Sequence, residues 1–270
     1  MDYDTAEIMG GLYGDGIIAL KGAFRREWAE RMREDIELLF KEARQVPGGA
    51  LPRGPERFYV EVHPEKIRGF VDIATHPWFI AVCEAVLGPD YKIVEVGFDI
   101  PFPGAADQPW HRDFASPEAT LKGRRLNSLA FNLTSVDTTL EMGPLEVAHG
   151  TQWDDLSGYS GGMFPPKELY PRYQQRMVRK MPQMGDISAR SALTIHRGTA
   201  NRSDVARPVL VVGVDAPDAM NADHHDLQVT RAYAATLPDR VLDHLTYRLV
   251  DRLETVVQHH VIEGLLEPDY

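Results

Sequence analysis

Four short runs rich in β-branched and aromatic residues dominate the middle of the chain: YKIVEVGFDIPF (91–102), LNSLAFNLTSV (126–136), PLEVAHG (144–150) and PVLVVGVDA (208–216). Side chains of this kind suit a pleated, half-buried surface, and the Gly, Pro, Asn and Asp between them are turn formers. No helical pattern alternates with the runs, so they predict a β domain, not a parallel α/β sheet. In YKIVEVGF, Ile93, Val94 and Val96 surround Glu95, a partial alternation that leaves the buried face open.

Helical patterns flank this centre. Trp28, Met32, Ile36 and Leu39 recur at spacings of four and three within 25–42, an amphipathic helix. A second helix is expected over 77–87, opened by Pro77 and ended by Gly88-Pro89. Residues 43–57, with three Pro and three Gly, form a loop of the length that often serves function. Apolar spacing from Val241 to Val257 predicts a terminal helix over 239–266. No internal repeat or linker divides the chain. One domain over 1–270 is therefore expected: a helical buttress (1–89), a β core (90–215) carrying a lid insert (151–181), and a helical end (216–270).

Charge and cysteine content narrow the classes of function. A formal charge of −11 gives no basis for a nucleic-acid partner, which needs clustered Lys and Arg. Cys83 is the only cysteine, so an intramolecular disulfide, a CxxC pair and a Cys-rich zinc site are all excluded. The N-terminus is acidic and no apolar run approaches the ~20 residues of a membrane span. A cytoplasmic protein, monomeric or homodimeric, with no membrane partner is the expectation.

The chemistry begins at His111-Arg112-Asp113. On extended chain, residues i and i+2 share a face, so an imidazole and a carboxylate converge on one ion. Alone, such a tripeptide is as well read as a surface His–Asp contact. His196 follows Asp113 by 83 residues, and Arg207 opens a strand 11 residues beyond it. Two imidazoles and one carboxylate make the facial triad of non-haem Fe(II) oxygenases, with positions left for a bidentate 2-oxo acid and O₂. Arg207 gives the distal carboxylate of that acid a bidentate partner.

At these residues the chain resembles the phytanoyl-CoA dioxygenase family of Fe(II)/2-oxoglutarate-dependent oxygenases. The matching stretches are QPWHRD (108–113), EMGPLEVAHGTQ (141–152), GDISARSALTIHRGTANRSDVAR (185–207) and, more loosely, 57–89. The resemblance implies a double-stranded β-helix, or jelly roll, of eight strands with flanking helices. It makes His111, Asp113 and His196 the iron ligands and catalytic centre, and Arg207 the 2-oxoglutarate clamp. Gln108, Asn132 and Tyr59 become candidate co-substrate contacts. The implied reaction spends O₂ and 2-oxoglutarate, giving succinate and CO₂, to hydroxylate, desaturate or cyclise a small organic molecule, a secondary metabolite or a carboxylate-bearing compound. Asp113 favours oxygenation, since related halogenases carry a small residue there. Two departures, His149-Gly150-Thr151-Gln152 for the family's Pro-Gly-Ser-His and Met142 for its Asn, bear on pocket shape. The rivals are an isomerase or hydrolase using the same ligands without an oxo acid, and a non-catalytic binding protein.

Other features have plainer readings. His224, His225, His244, His259 and His260 are expected at the surface, and His149 either touches substrate or makes a structural hydrogen bond. Lys167, Arg172, Arg176, Arg179 and Lys180 form a solvated face or an anion site. Trp110, Phe114, Trp153, Tyr159, Phe164 and Tyr170 line a pocket or fill core.

Overall fold

The computed structural model describes residues 3–115, 117–155, 162–219 and 224–256. Its strands are β1 (Ile17–Leu20), β2 (Leu51–Pro52), β3 (Arg57–Glu61), β4 (Lys92–Pro101), β5 (Ser128–Thr134), β6 (Leu145–Ala148), β7 (Met177–Lys180), β8 (Ile187–Ser191), β9 (His196–Gly198) and β10 (Val209–Asp215), followed by β11 (Gln228–Thr230) and β12 (Arg248–Val250). An antiparallel sheet runs β1-β8-β5-β10-β4-β3-β2, and a smaller one β7-β6-β9. His111 adds a single antiparallel bridge to His196, extending the smaller sheet. These are the two sheets of a jelly roll, with flanking helices, as expected.

One face of the large sheet is apolar. Val96, Phe98 and Ile100 of β4, Leu129, Phe131 and Leu133 of β5, and Leu210, Val212 and Val214 of β10 are all buried there. They share one core with α1 (Thr5–Gly10), α2 (Arg26–Ala43), α3 (Phe70–Ala74) and α4 (Pro77–Leu87). Phe131 lies 4.3 Å from Phe79 and meets Trp78 edge-on. The α2 stripe Trp28, Met32, Ile36 and Leu39 is buried as its spacing predicts, each side chain worth about 1.5–3 kcal/mol.

The partial alternation of YKIVEVGF has a cause. The β10–β4 register passes from Gly213↔Glu95 to Val214↔Ile93, leaving Val94 as an extra residue. This bulge keeps Ile93 and Val96 in the helix-side core while both Val94 and Glu95 face the space between the sheets.

Three expectations about the flanks are corrected. The N-terminal 89 residues are not purely helical, since β1, β2 and β3 pair into the large sheet. The expected terminal helix is short, Asp239–His244, because Leu245 turns extended and bridges Ile93 at the end of β4. There Thr246 N–H donates to Ile93 C=O, and β12 then pairs with β11; residues 257–270, with His259 and His260, lie outside the described residues. The expected lid insert is partly framework, for a helix over Tyr170–Arg176 leads into β7 beside β6. Residues 156–161 of that insert, including Tyr159, lie outside the described residues.

Candidate metal centre and cavity

Backbone pairing places the two histidines. His111 N–H donates to His196 C=O at 3.0 Å and His196 N–H to His111 C=O at 2.8 Å, so their rings lie 4.4 Å apart. Asp113 is held by its N–H on Ala192 C=O. Arg112, between them, turns the other way and donates to the Thr151 and Asp154 carbonyls. The motif therefore presents alternate side chains to one side, as its spacing requires.

Each imidazole is oriented by a backbone carbonyl. His111 Nδ1 lies 2.9 Å from Pro109 C=O, and His196 Nδ1 2.9 Å from Thr194 C=O. A carbonyl only accepts, so Nδ1 carries the proton in both rings and Nε2 offers its lone pair. Asp113 Oδ1 lies 3.4 Å from His196 Nε2, while Oδ2 accepts from Arg190 Nη2 at 2.9 Å. One donor atom from each of the three residues lies within 4.8 Å of the others. Burial, first of all, pushes the His111 pKa down to about 4 and that of His196 well below its usual range, with Arg190 acting the same way. Both rings are thus neutral at pH 7, the form a metal ion needs. The donor set fits Fe(II), and the proton arrangement leaves it ready to bind.

The triad opens on a cavity of about 240 Å³ between the sheets. Tyr59, Gln108 and Asn132 all line it. Tyr59 hydroxyl donates to Glu95, Gln108 Oε1 accepts from Gly198 N–H, and the buried Asn132 Oδ1 has no hydrogen-bond partner among the described residues. Arg207 is fully enclosed beyond the lining, its Nε donating to Met142 C=O at 3.3 Å. A residue the sequence did not single out stands in the lining itself. Arg57 is buried, clasps Asp99 through Nε and Nη2 at 2.9 and 2.6 Å, and leaves Nη1 without a partner among the described residues. Burial, then the like charge of Arg57, lowers the Arg207 pKa to about 10. Two guanidinium groups against one carboxylate leave a buried positive surplus. That surplus fits a dicarboxylic acid bound beside the triad. Gly198, two residues after His196, makes the room: a Cβ there would come within 1.9 Å of Arg57 Nη1.

Two more residues were hidden in the sequence. Arg190 fixes Asp113 and was read only as part of a matching stretch. His225 was expected at the surface, but it lines the cavity beside His224 and contacts Glu61 at 3.0 Å. His244 is also no surface group, since it stacks on Tyr91 at 3.9 Å. Sequence carries no signal for His225 because its partners Glu61 and Glu95 come from strands more than 100 residues away.

The remaining groups resolve as structure. His149 contacts Lys180 and Asp15. Arg172 and Arg176 face Asp154, and Arg179 pairs with Glu146, so the basic cluster is largely matched by acids outside the cavity lining. Of the five aromatics among the described residues, Phe114 alone is found in the lining; Trp110 packs on Tyr173, Trp153 on Tyr13, and Phe164 lies 5.9 Å from the His111 ring. The departures near 149–152 serve the framework. Thr151 hydroxyl accepts from Ile195 N–H beside His196, and Gln152 donates to carbonyls of residues 12–14.

The sequence profile of the phytanoyl-CoA dioxygenase family matches residues 12–209. The chain belongs to this family. It is an Fe(II)/2-oxoglutarate-dependent oxygenase. Solved structures share its fold at low identity. The non-haem α-ketoglutarate-dependent carbocyclase SnoK of nogalamycin biosynthesis superposes with a TM-score of 0.62 at 18% identity, covering 78% of this chain and 83% of its own. HygX from Streptomyces hygroscopicus, solved with nickel and 2-oxoglutarate, gives 0.62 at 12% identity over 84% and 91%. AviO1 from Streptomyces viridochromogenes Tue57 gives 0.59 at 16% identity over 81% and 98%. No helix among the described residues is long and apolar enough to cross a membrane.

The buried histidines make stability pH-dependent. His111 in the metal-free fold titrates near 4 against 6.5 in the unfolded chain, so stability falls as pH drops from 6.5 towards 4, by about 3 kcal/mol from this group. His225 behaves oppositely. Burial disfavours its charge, but the Glu61 hydrogen bond and the Glu95 carboxylate hold its pKa up at about 9. Its contribution is full below 6.5 and is lost as pH rises through 9, again about 3 kcal/mol. Urea unfolding of wild type and His225→Asn at pH 6 and pH 9.5 should show a gap between them that closes at the higher pH. An unchanged gap would contradict the assignment.

Proposed function

We propose that the chain oxidises a C–H bond of a small molecule held in this cavity, with iron bound by His111, Asp113 and His196. The convergence of two Nε2 lone pairs and one carboxylate oxygen carries this reading. Arg57 Nη1 and Arg207 would hold the distal carboxylate of 2-oxoglutarate, with Tyr59, Gln108 and Asn132 along its path. Iron and 2-oxoglutarate, when bound, supply the oxidising power, O₂ being consumed as the oxo acid becomes succinate and CO₂.

The protein's own part is orientation. Pro109 and Thr194 carbonyls fix the imidazole protons away from the ion, and Arg190 holds Asp113 to one rotamer. Hydroxylation, desaturation and ring closure share these requirements. A cytoplasmic location belongs to the same reading, supported by the single cysteine, Cys83, which is buried and free.

Anaerobic titration of the Fe(II)-loaded protein with 2-oxoglutarate tests it. A weak visible charge-transfer band, from chelation of the oxo acid, is expected to saturate at one equivalent per chain. Folded, iron-bound protein without that band would favour an oxo-acid-independent metalloenzyme.

A further inference from the structure

One wall of the cavity is not needed to hold iron or 2-oxoglutarate. Glu61 of β3, Glu95 of β4 and His225 present ligand-capable atoms within 4.8 Å of one another. His225 Nδ1 meets Glu61 Oε1 at 3.0 Å, while its Nε2 stands 4.0 Å from Glu95 Oε2, beyond hydrogen-bond range. Glu95 Oε1 accepts the hydrogen bond of the Tyr59 hydroxyl, so Oε2 is the oxygen still turned to the cavity. Sequence and fold have made space for this carboxylate. Glu95 lies over Gly213, where a Cβ would come within 2.8 Å of Oε2, and the β4 bulge aims the residue inward. Asn132 adds a second acceptor to the same lining, with its Oδ1 shielded from solvent and without a donor among the described residues.

This is more than a cluster of acids, because it walls the cavity that opens on the metal triad. Whatever is presented to His111, Asp113 and His196 lies against it. Within the lining, Asp99 is matched by Arg57 and Asp113 by Arg190, while Glu61 and Glu95 share His225. An anionic substrate would meet these carboxylates as well as those of 2-oxoglutarate. A purely apolar one would strip water from Glu95 Oε2 and return no donor, which costs several kcal/mol for a buried charge. A metal ion would have to displace the protons that His225 and Tyr59 already share with the two Glu. A protonated amine displaces nothing and donates to Oε2, with Asn132 Oδ1 a further acceptor in the same lining.

We propose that Glu95 and Glu61, braced by Tyr59 and His225, bind a protonated amine on the substrate and so set which C–H bond faces the triad. This rests on the cavity being the substrate site. Its test needs no iron. Metal-free full-length protein is titrated at pH 7 with benzylamine, benzyl alcohol and benzoate, following ligand-observed NMR, for wild type, Glu95→Gln and Glu61→Gln. Benzylamine should bind at least tenfold tighter than the alcohol or benzoate, and either substitution should erase most of that preference in protein whose melting curve shows it folded. Equal binding of the three probes, or an amine preference kept in both variants, overturns the proposal. So does a Mn²⁺ titration in which a second ion binds per wild-type chain, expels benzylamine and is lost in His225→Ala. Should the 2-oxoglutarate titration fail while the amine preference holds, the oxygenase reading falls and the ammonium site stands.

Discussion

His196→Ala and Asp113→Asn proteins are expected to remain folded, lose stoichiometric Fe(II) and show no 2-oxoglutarate-dependent turnover. The fold should survive for a definable reason. His196 is buried as a neutral ring whose protonation is disfavoured, so shortening it removes no ion pair that the core relies on. Asp113→Asn keeps a side-chain oxygen for Arg190, whereas Asp113→Ala would leave that buried guanidinium unpaired at a cost of about 3–5 kcal/mol. Loss of a ligand should exceed the roughly 10–100-fold fall in metal affinity that follows loss of a group orienting one. Arg190→Gln provides that comparison, since it removes the charged donor to Asp113 Oδ2 and leaves all three ligands. Iron content after dialysis, with circular dichroism on the same samples, checks all three proteins. Full iron occupancy in His196→Ala would exclude it as a ligand.

How far these residues could be read from sequence depends on the range of the interactions that place them. The strands at 92–101, 128–134, 145–148 and 209–215 and the helices at 26–43 and 77–87 follow from local pattern, and the structure has them within a residue or two of the expected runs. The triad was legible because its chemistry restricts residue type and its first half is a local motif. Arg57 was not, because what makes it notable is a clasp with Asp99 across the β3–β4 pair, an unpaired Nη1, and room left by Gly198 from the other sheet. His225 looked like a solvated histidine for the same reason. The helix expected to run to 266 ended at His244 because a long-range bridge from Leu245 to Ile93 outcompetes local periodicity, which tertiary contacts often do.

Arg57→Ala and Arg207→Ala should each bind iron normally yet need far more 2-oxoglutarate, and the two should differ in a diagnostic way. Removing one member of a buried charge pair costs about 2–5 kcal/mol, so the half-saturation point in the anaerobic titration should rise by roughly 30-fold to several thousand-fold. In Arg207→Ala that loss falls on the co-substrate, because among the described residues the guanidinium donates to the Met142 carbonyl and to no carboxylate. In Arg57→Ala the loss is shared with the fold, since Asp99 is left a buried carboxylate without its bidentate partner. Arg57→Ala should therefore also melt earlier, and Arg57→Ala/Asp99→Ala should recover thermal stability without recovering 2-oxoglutarate affinity. Gly198→Ala approaches the same site from the opposite sheet. Its Cβ would fall within 2.3 Å of both Arg57 terminal nitrogens, and the guanidinium, pinned to Asp99, has nowhere to retreat without breaking that clasp. Weaker co-substrate binding at unchanged iron content is the expected result. Were Arg57→Ala to titrate like wild type while Arg207→Ala did not, Arg57 would be a partner of Asp99 alone and Arg207 the single clamp.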